Sequence, residues 1–234
     1  MIGCIIQARM GSTRFPGKIL EKIDGSNSAL SFLIEQLKNV ELLDKIIIAT
    51  TNNEKDDIIV KFSKENNIEY FRGSENDVLN RYYEAAKKFS LDVIVRVTSD
   101  NPLIDPKLID QGIQFFNLKK LDVYTTNQTK SFPYGVVFEI FSFNALEKVE
   151  ENAVTNSDKE HVTPFFYSNK QEFKIFDYEN GKNMSHIRCS LDTMNDLVFI
   201  RELIKKIDER PIHLDSIILA ITKFPELLNI NNKN

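Results

Sequence analysis

Gln7-Ala8-Arg9-Met10-Gly11-Ser12-Thr13-Arg14-Phe15-Pro16-Gly17-Lys18 continues directly from the β-rich apolar run of residues 2–7. An uninterrupted apolar strand of this kind belongs to a sheet covered on both faces. In a doubly wound sheet the loop after the first strand lies at the carboxyl edge, where ligands bind. This loop holds two glycines, two hydroxyls and three cations, Arg9, Arg14 and Lys18. Backbone N–H groups of such a loop can point at phosphate oxygens, and Gly11 permits close approach of the backbone. Arg supplies bidentate contacts and Lys a point charge. Three cations concentrated here point to a polyphosphate; the competing reading is a solvated basic loop with a Pro-Gly turn. It is not a Walker A loop, because five residues separate Gly11 from Gly17 and residue 19 is Ile. Nor is it a dinucleotide fingerprint, since no G-x-G-x-x-G is present.

Moving outward, β-rich runs recur at 45–50, 68–71 and 92–98, with helical stripes between them. Leu30, Leu33, Ile34, Leu37 and Val40 share one helical face; Ile58, Ile59 and Phe62 share another; Val78, Leu79, Tyr82, Ala86 and Phe89 form a third. Ser74 to Asp77 resembles a capping box with Asp in place of Glu. Asp105-Pro106 opens a further helix with Pro at its first position. Strands are expected at 121–126 and 135–141, a short helix after Ser142, and a strand-like run at 186–191 before a helix over 192–207. This alternation predicts an α/β fold: three α/β/α layers around a mostly parallel, mixed sheet. Residues 1–234 read as one domain. Within it, 127–190 form a less regular subregion, richer in Asn, Tyr and Phe, that covers the site or makes a subunit contact. The tail from residue 229 is polar and reads as frayed.

Composition narrows the functional classes. With 27% charged and 42% hydrophobic residues the 234-residue chain is ordinary globular protein. A net charge of −4 speaks against sequence-independent nucleic-acid binding, which rests on a basic face. Cys4 and Cys189 exclude a disulfide scaffold and a four-Cys zinc site, and both sit in apolar stretches as buried thiols. The longest apolar run, 217–221, is far short of the roughly 20 residues a spanning helix needs. No basic leader follows Met1, so a cytoplasmic location is expected.

The loop 6–18 resembles the signature loop of the nucleotidyltransferases that make CMP-sugars. It is closest to the SpsF-like (spore coat polysaccharide) cytidylyltransferases, which are related to the CMP-acylneuraminate and CMP-3-deoxy-manno-octulosonate synthetases. The resemblance continues through Phe71-Arg72-Gly73-Ser74-Glu75-Asn76-Asp77-Val78-Leu79-Asn80-Arg81-Tyr82. It resumes at Arg96-Val97-Thr98-Ser99-Asp100-Asn101-Pro102-Leu103-Ile104-Asp105, at Glu160-His161-Val162-Thr163-Pro164 and at Leu191-Asp192-Thr193. It implies the nucleotide-diphospho-sugar transferase (GT-A-like) fold. It also implies Mg2+-dependent transfer of CMP from CTP to a sugar hydroxyl with release of pyrophosphate, in surface polysaccharide or glycan biosynthesis.

The resemblance assigns the residues. Ala8, Arg9, Gly11, Ser12, Thr13, Arg14, Lys18, Gly73, Asp77 and Thr98 would bind the nucleotide; Arg14, Lys18 and Asp100 would be catalytic; Asp100 and Asp192 would hold the metal. On residue types alone, Asp100 reads equally as a turn initiator, and Asp192 as a helix N-cap. Asp196 reads as a first-turn charge. Asp77 and Arg81 form either an i,i+4 ion pair or a support for the nucleotide. Ser99 stands where the family usually has Gly, which requires a negative φ. Glu139 and His161 are weaker acceptor-site candidates, His161 reading equally as a capping residue; Val137 and Met194 depart from the family pattern. The three histidines, His161, His186 and His213, have no metal-ligand spacing and form no Ser/His/Asp pattern.

The acceptor implied is a sugar, an acidic 2-keto sugar among the candidates. The family also implies a homodimer, for which 132–143 offers an apolar surface. Two other functions fit parts of the pattern. A GT-A-like glycosyltransferase using a nucleotide sugar would share the fold, but Asn101-Pro102 after Asp100 supplies no D-x-D pair. A non-catalytic nucleotide-binding module would bind CTP without turnover.

Overall fold

The computed structural model describes residues 1–231. A seven-stranded sheet forms its centre. It comprises β1 (Ile2–Gln7), β4 (Lys45–Thr51), β5 (Glu69–Gly73), β6 (Val93–Thr98), β7 (Val123–Thr125), β8 (Glu139–Ser142) and β9 (Ile175–Asp177), in the order β5-β4-β1-β6-β8-β7-β9. Only β8 runs against its neighbours; the pairings β1–β4, β1–β6, β4–β5 and β7–β9 are parallel. The α/β class with a mostly parallel, mixed sheet is therefore as expected. A small hairpin of β2 (Lys22–Asp24) and β3 (Asn27–Ser28), absent from the sequence reading, follows the first loop.

Side-chain alternation builds the two covered faces. Cys4, Ile6, Ile48, Val95 and Val97 pack with Leu30, Leu33 and Leu37 of α1 (Ala29–Leu37), Ile59 of α2 (Asp57–Glu65) and Ile109, Ile113 and Phe116 of α4 (Pro106–Lys119). Ile5, Ile47, Ala49 and Ile94 face the other way. They meet Leu79, Tyr82 and Ala86 of α3 (Val78–Lys88), Leu146 and Val149 of α5 (Phe143–Asn152) and Phe166 of α7 (Pro164–Ser168). Each fully buried Leu or Ile contributes about 1.5–3 kcal/mol of transfer free energy, so the strands are held from both sides. A third cluster lies beyond the sheet. Phe132, Val136, Ile187 and Leu191 join α8 (Met194–Ile204) and α9 (Leu214–Lys223) there.

Chain order makes the crevice. From β1 the chain steps outward to β4 and β5, then returns to place β6 on the other side of β1. Strand order reverses between β1 and β6, and ligands bind outside the carboxyl ends at such a switch point. Gln7 and Thr98, the last residues of these strands, are register partners.

Local signals decide several helix starts. Asp105 caps α4 by accepting from Lys107 N at 2.8 Å, with Pro106 at the first position. The start of α3 differs from the expectation. Asp77, not Ser74, is the N-cap and accepts from Asn80 N, while Ser74 Oγ accepts from Asp77 N. The run 186–191 forms no sheet strand. It contributes only an isolated bridge between Arg188 and Tyr134, because α8 and the third cluster hold it away from the central sheet. Strand β8 begins at Glu139 rather than 135, since Gly135 takes φ +98° and breaks extended pairing. In α6 (Asn156–His161) and α7 two short helices appear that periodicity did not reveal. Residues 229–231 are ordered: a 3-10 turn spans Pro225–Asn229, and Asn231 is 3% exposed. The rest of the expected frayed tail, 232–234, lies outside the described residues. Phe132, Val136, Phe138, Ile140 and Phe141 are core, so much of the apolar character of 132–143 lies inside the molecule, while Tyr134 is exposed. No described helix is long and apolar enough to cross a membrane.

Gly135 is a position where only glycine fits. A Cβ there would lie 2.3 Å from Ser190 N and 2.6 Å from Cys189 C, on top of a positive φ. Gly135→Ala is expected to cost about 2 kcal/mol or more. The measurement is urea unfolding, and an unchanged midpoint would refute the close approach.

Candidate active site

The loop after β1 is shaped by its own backbone. Met10 O accepts from Ser12 N at 2.9 Å and from Gly17 N at 3.1 Å, closing residues 10–17 into a ring. Gly17 takes φ +75° and turns the chain into a 3-10 turn at Lys18–Leu20. Lys18 is thereby drawn inward and is only 8% exposed. From outside the loop, the buried carboxylate of Asp56 accepts from Met10 N at 2.7 Å and from the Thr51 hydroxyl. Asp56, just before α2, thus braces the loop from the end of β4.

Lys18 is where the distant segments meet. Its Nζ lies 2.9 Å from Asp100 Oδ2 and 2.8 Å from Asp192 Oδ1. Asp100 follows the β6 terminus, where Ser99 N donates to Gln7 O and Asn101 N to Thr98 O. Asp192 is brought alongside by Leu191 N, which donates to Asp100 O at 2.8 Å. Arg14 Nη2 reaches Asp192 Oδ1 at 3.1 Å, and Arg188 binds Asp192 Oδ2. Thr193, not Asp192, is the N-cap of α8, so the Asp192 carboxylate is free for other partners. Ser99 is not among the positive-φ residues, so the Ser in place of Gly is accommodated without strain.

A cavity of about 1000 Å³ opens over this cluster. Of the expected site residues, Ala8, Arg9, Ser12, Thr13, Arg14 and Lys18 border it from the first loop, and Thr98, Asp100 and Asp192 from beneath. Asp77 and His161 border it from the far wall, where Lys159 Nζ lies 3.9 Å from Asp77 Oδ2. Arg9 lies 3.6 Å from Glu75, another lining residue. Gly11 and Gly73 do not border the cavity. A Cβ on Gly73 would meet Arg81 Cγ at 3.0 Å, so this glycine accommodates Arg81. Arg81 makes no ion pair with Asp77; its Nη1 donates to Ser74 O at 2.6 Å.

Glu139 is buried in the cavity floor and already partnered. Arg96 Nη1 lies 2.6 Å from its Oε2, Thr163 Oγ1 donates at 3.3 Å, and the Tyr167 hydroxyl donates to Oε1. Burial, then the negative charge of Glu139, pushes the Tyr167 phenol far up, keeping it a donor. Asp196, expected as a first-turn charge, does lie in the first turn of α8 and is fully buried. It completes a capping box with Thr193 and takes Arg188 Nε at 3.0 Å. The charged residues around the site that the sequence reading missed each had a signal. Arg96 and Arg188 are charges inside apolar runs, and Asp56 follows a strand at the same carboxyl edge as the first loop.

Among the described residues no group of three or more His, Cys, Asp or Glu side chains gathers to hold a metal. Asp100 and Asp192 do converge, since one ammonium reaches an oxygen of each. Two carboxylates suit Mg2+, which is usually held by one or two of them together with substrate phosphates. The donor set therefore fits a divalent cation shared with a phosphate ligand.

The cytidylyltransferase family pattern matches residues 3–217 of this chain. The chain belongs to the cytidylyltransferase family. It is 32% identical to the spore coat polysaccharide biosynthesis protein SpsF of Bacillus subtilis over 231 residues, covering 95% of this chain and 94% of SpsF. It is 40% identical to the uncharacterized protein MJ1063 of Methanocaldococcus jannaschii over 230 residues, 97% and 93% of the two chains. The solved structure of a cytidylyltransferase from Leptospira borgpetersenii superposes with a TM-score of 0.93 at 34% identity, covering 100% of this chain and 98% of that one. The SpsF-like family and the nucleotide-diphospho-sugar transferase fold expected from the loop motifs are both borne out, and the protein is a nucleotidyltransferase.

Asp192 gives this cytidylyltransferase a pH signature. Burial pushes its carboxyl up. The hydrogen bond and charge of Lys18, then the charges of Arg14 and Arg188, outweigh that and hold it below the usual carboxylate range. A folded-state pKa below the unfolded one, about 3.9, contributes stability above that value and loses it as pH falls through the folded pKa. The stability advantage of the wild type over Asp192→Asn is therefore expected to hold level above about pH 5 and to shrink as the pH falls from there toward 3 in urea unfolding. A difference independent of pH would contradict the charged cluster.

Proposed function

We propose that the protein is a magnesium-dependent cytidylyltransferase that transfers CMP from CTP to a sugar hydroxyl and releases pyrophosphate, in the making of a surface polysaccharide or glycan. The observation that carries this is the convergence of Asp100 and Asp192 on Lys18 at the mouth of the first loop. The likeness to SpsF, named for spore coat polysaccharide, supports the pathway. A 3-deoxy-manno-octulosonate cytidylyltransferase of Trichlorobacter lovleyi, 36% identical over about half of each chain, supports CTP and an acidic 2-keto sugar as substrates.

In the transfer, a sugar hydroxyl oxygen bonds to the α-phosphorus of CTP as its O–H bond breaks and the proton passes to solvent, and the α–β bridging P–O bond breaks, so pyrophosphate leaves. Arg14 and Lys18 bind the outgoing phosphates and neutralise the charge that grows on them. The Ser12–Thr13 backbone, kept in place by the Met10 ring and by Asp56, positions the phosphates for in-line attack. Three cations, Arg14, Lys18 and Arg188, face three carboxylates, Asp100, Asp192 and Asp196, so the cluster has no spare positive charge for a triphosphate. Mg2+ on Asp100 and Asp192 would supply that charge and polarise the α-phosphate. Lys18 and Arg14 are then available to phosphate oxygens. Arg96 and Glu139, paired in the floor, hold the base of the acceptor side rigid.

The direct assay combines Mg2+ and each of the four nucleoside triphosphates with a panel of acidic and neutral sugars, read by pyrophosphate release and product mass. Pyrophosphate from CTP alone, with a CMP-sugar product, is the expected result. In a parallel reaction supplied with a nucleotide sugar in place of the triphosphate, release of a nucleoside diphosphate would replace this function with glycosyl transfer. Lys18→Ala and Asp100→Ala are expected to lose about 10²–10³ or more in turnover, the usual cost of one such electrostatic contact. Far-UV circular dichroism should remain unchanged, and near-normal turnover in either folded variant would overturn the assigned roles.

A further inference from the structure

The two oxygens of Asp192 are divided between separate partners. Oδ1 takes Lys18 and Arg14 on the cavity side, whereas Oδ2 takes Arg188. Arg188 does not line the cavity, yet its placement is closely specified. Its Nε donates to Asp196 Oδ1 at 3.0 Å, and its guanidinium lies 4.7 Å from the centre of the Tyr134 ring. Its carbonyl accepts from Asn231 Nδ2 at 2.9 Å.

Asp196 ties the rest together. It is fully buried and takes five hydrogen bonds: Asp192 N at 3.0 Å, Thr193 N at 2.8 Å, Thr193 Oγ1 at 2.9 Å, Arg188 Nε, and Asn231 Nδ2 at 3.1 Å. Asp192 is thus gripped at its amide by Asp196 and at its rear oxygen by Arg188. A helix cap needs neither Arg188 nor Asn231; the Thr193–Asp196 box already satisfies the first turn. The additional partners bear on the orientation of one carboxylate. Hydrogen-bond partners behind a metal-ligating carboxylate typically matter 10- to 100-fold in metal affinity or activity.

We propose that Arg188 is a positioning residue: seated by Asp196 and by Asn231 near the carboxyl end, it occupies Oδ2 of Asp192 so that Oδ1 is presented to the metal and the triphosphate. This assignment rests on the nucleotidyl-transfer function above. It makes residue 231, far from the first loop in sequence, part of the support of the active site.

The test measures CTP binding to the full-length chain by calorimetry, once in EDTA and once with Mn2+, and takes the ratio of the two affinities as the metal-linked gain. Arg188→Met is expected to lose about 10- to 100-fold of that gain, with CTP binding in EDTA falling by clearly less than binding with Mn2+. Arg188→Lys, which keeps the charge and loses the fork, should recover part of it. Asn231→Ala, at the edge of the network and independent of whether Arg188→Met folds, should reduce the gain in the same direction by less. A wild-type gain in Arg188→Met, or in Asn231→Ala, overturns the positioning role. So does a fall in EDTA that matches the fall with Mn2+, because a merely structural staple would weaken both alike. A wild-type protein whose CTP affinity does not respond to Mn2+ overturns the metal-dependent function itself, and the positioning role with it.

Discussion

One buried ammonium organises this protein's candidate active site. Lys18 Nζ lies within hydrogen-bond distance of Asp100 and Asp192, which are 82 and 174 residues away along the chain. A charged group withdrawn from water is tolerated only where opposite charge and hydrogen bonds replace its hydration. The surrounding structure supplies that replacement. The positive φ of Gly17 turns Lys18 inward, the reversal of strand order between β1 and β6 sets Asp100 beside it, and the Leu191–Asp100 backbone bond delivers Asp192.

Around that centre the fold separates tasks by layer. The first loop is fixed at its base: Asp56 holds Met10 from the β4 side, and Met10 O holds both ends of the ring. The cavity floor is a closed charge pair, Arg96 with Glu139, reinforced by Thr163 and Tyr167. The wall at 134–137 packs on 187–191, close enough at Gly135 that no side chain fits. Rigid parts lie below and behind, and the exposed cations Arg9 and Arg14 stand at the rim. Such an arrangement suits electrostatic catalysis, because dipoles and charges already in place need no reorganisation during reaction.

Legibility in the sequence followed the range of the forces involved. Strands β1, β4, β5 and β6 and helices α1, α3 and α4 announce themselves locally, since strands covered on both faces read as apolar runs and helices covered on one face carry an apolar stripe. Residues 186–191 looked like a strand by the same rule and are not one. Their apolar side chains pack on α8 and α9 rather than in the sheet, and a short apolar run carries no mark of which layer will cover it. The same ambiguity hid how much of 132–143 is core, where Phe132, Phe138 and Phe141 are buried. Asp196 looked like an ordinary first-turn charge because its partners, Arg188 and Asn231, come from outside its own helix.

The chain by itself determined the alternation of strand and helix, the basic loop at the end of β1, the acid at the end of β6, and the family these motifs mark. Those are properties of neighbours in sequence, expressed through backbone propensity and hydrophobic period. Tertiary structure alone decided that Lys18 bridges both aspartates, that Glu139 is neutralised by Arg96, and that Asn231 reaches back to Arg188. Such pairings depend on distances across the fold, and a carboxylate's partner is chosen by which cation the packed core brings within about 3 Å, a quantity no local pattern encodes.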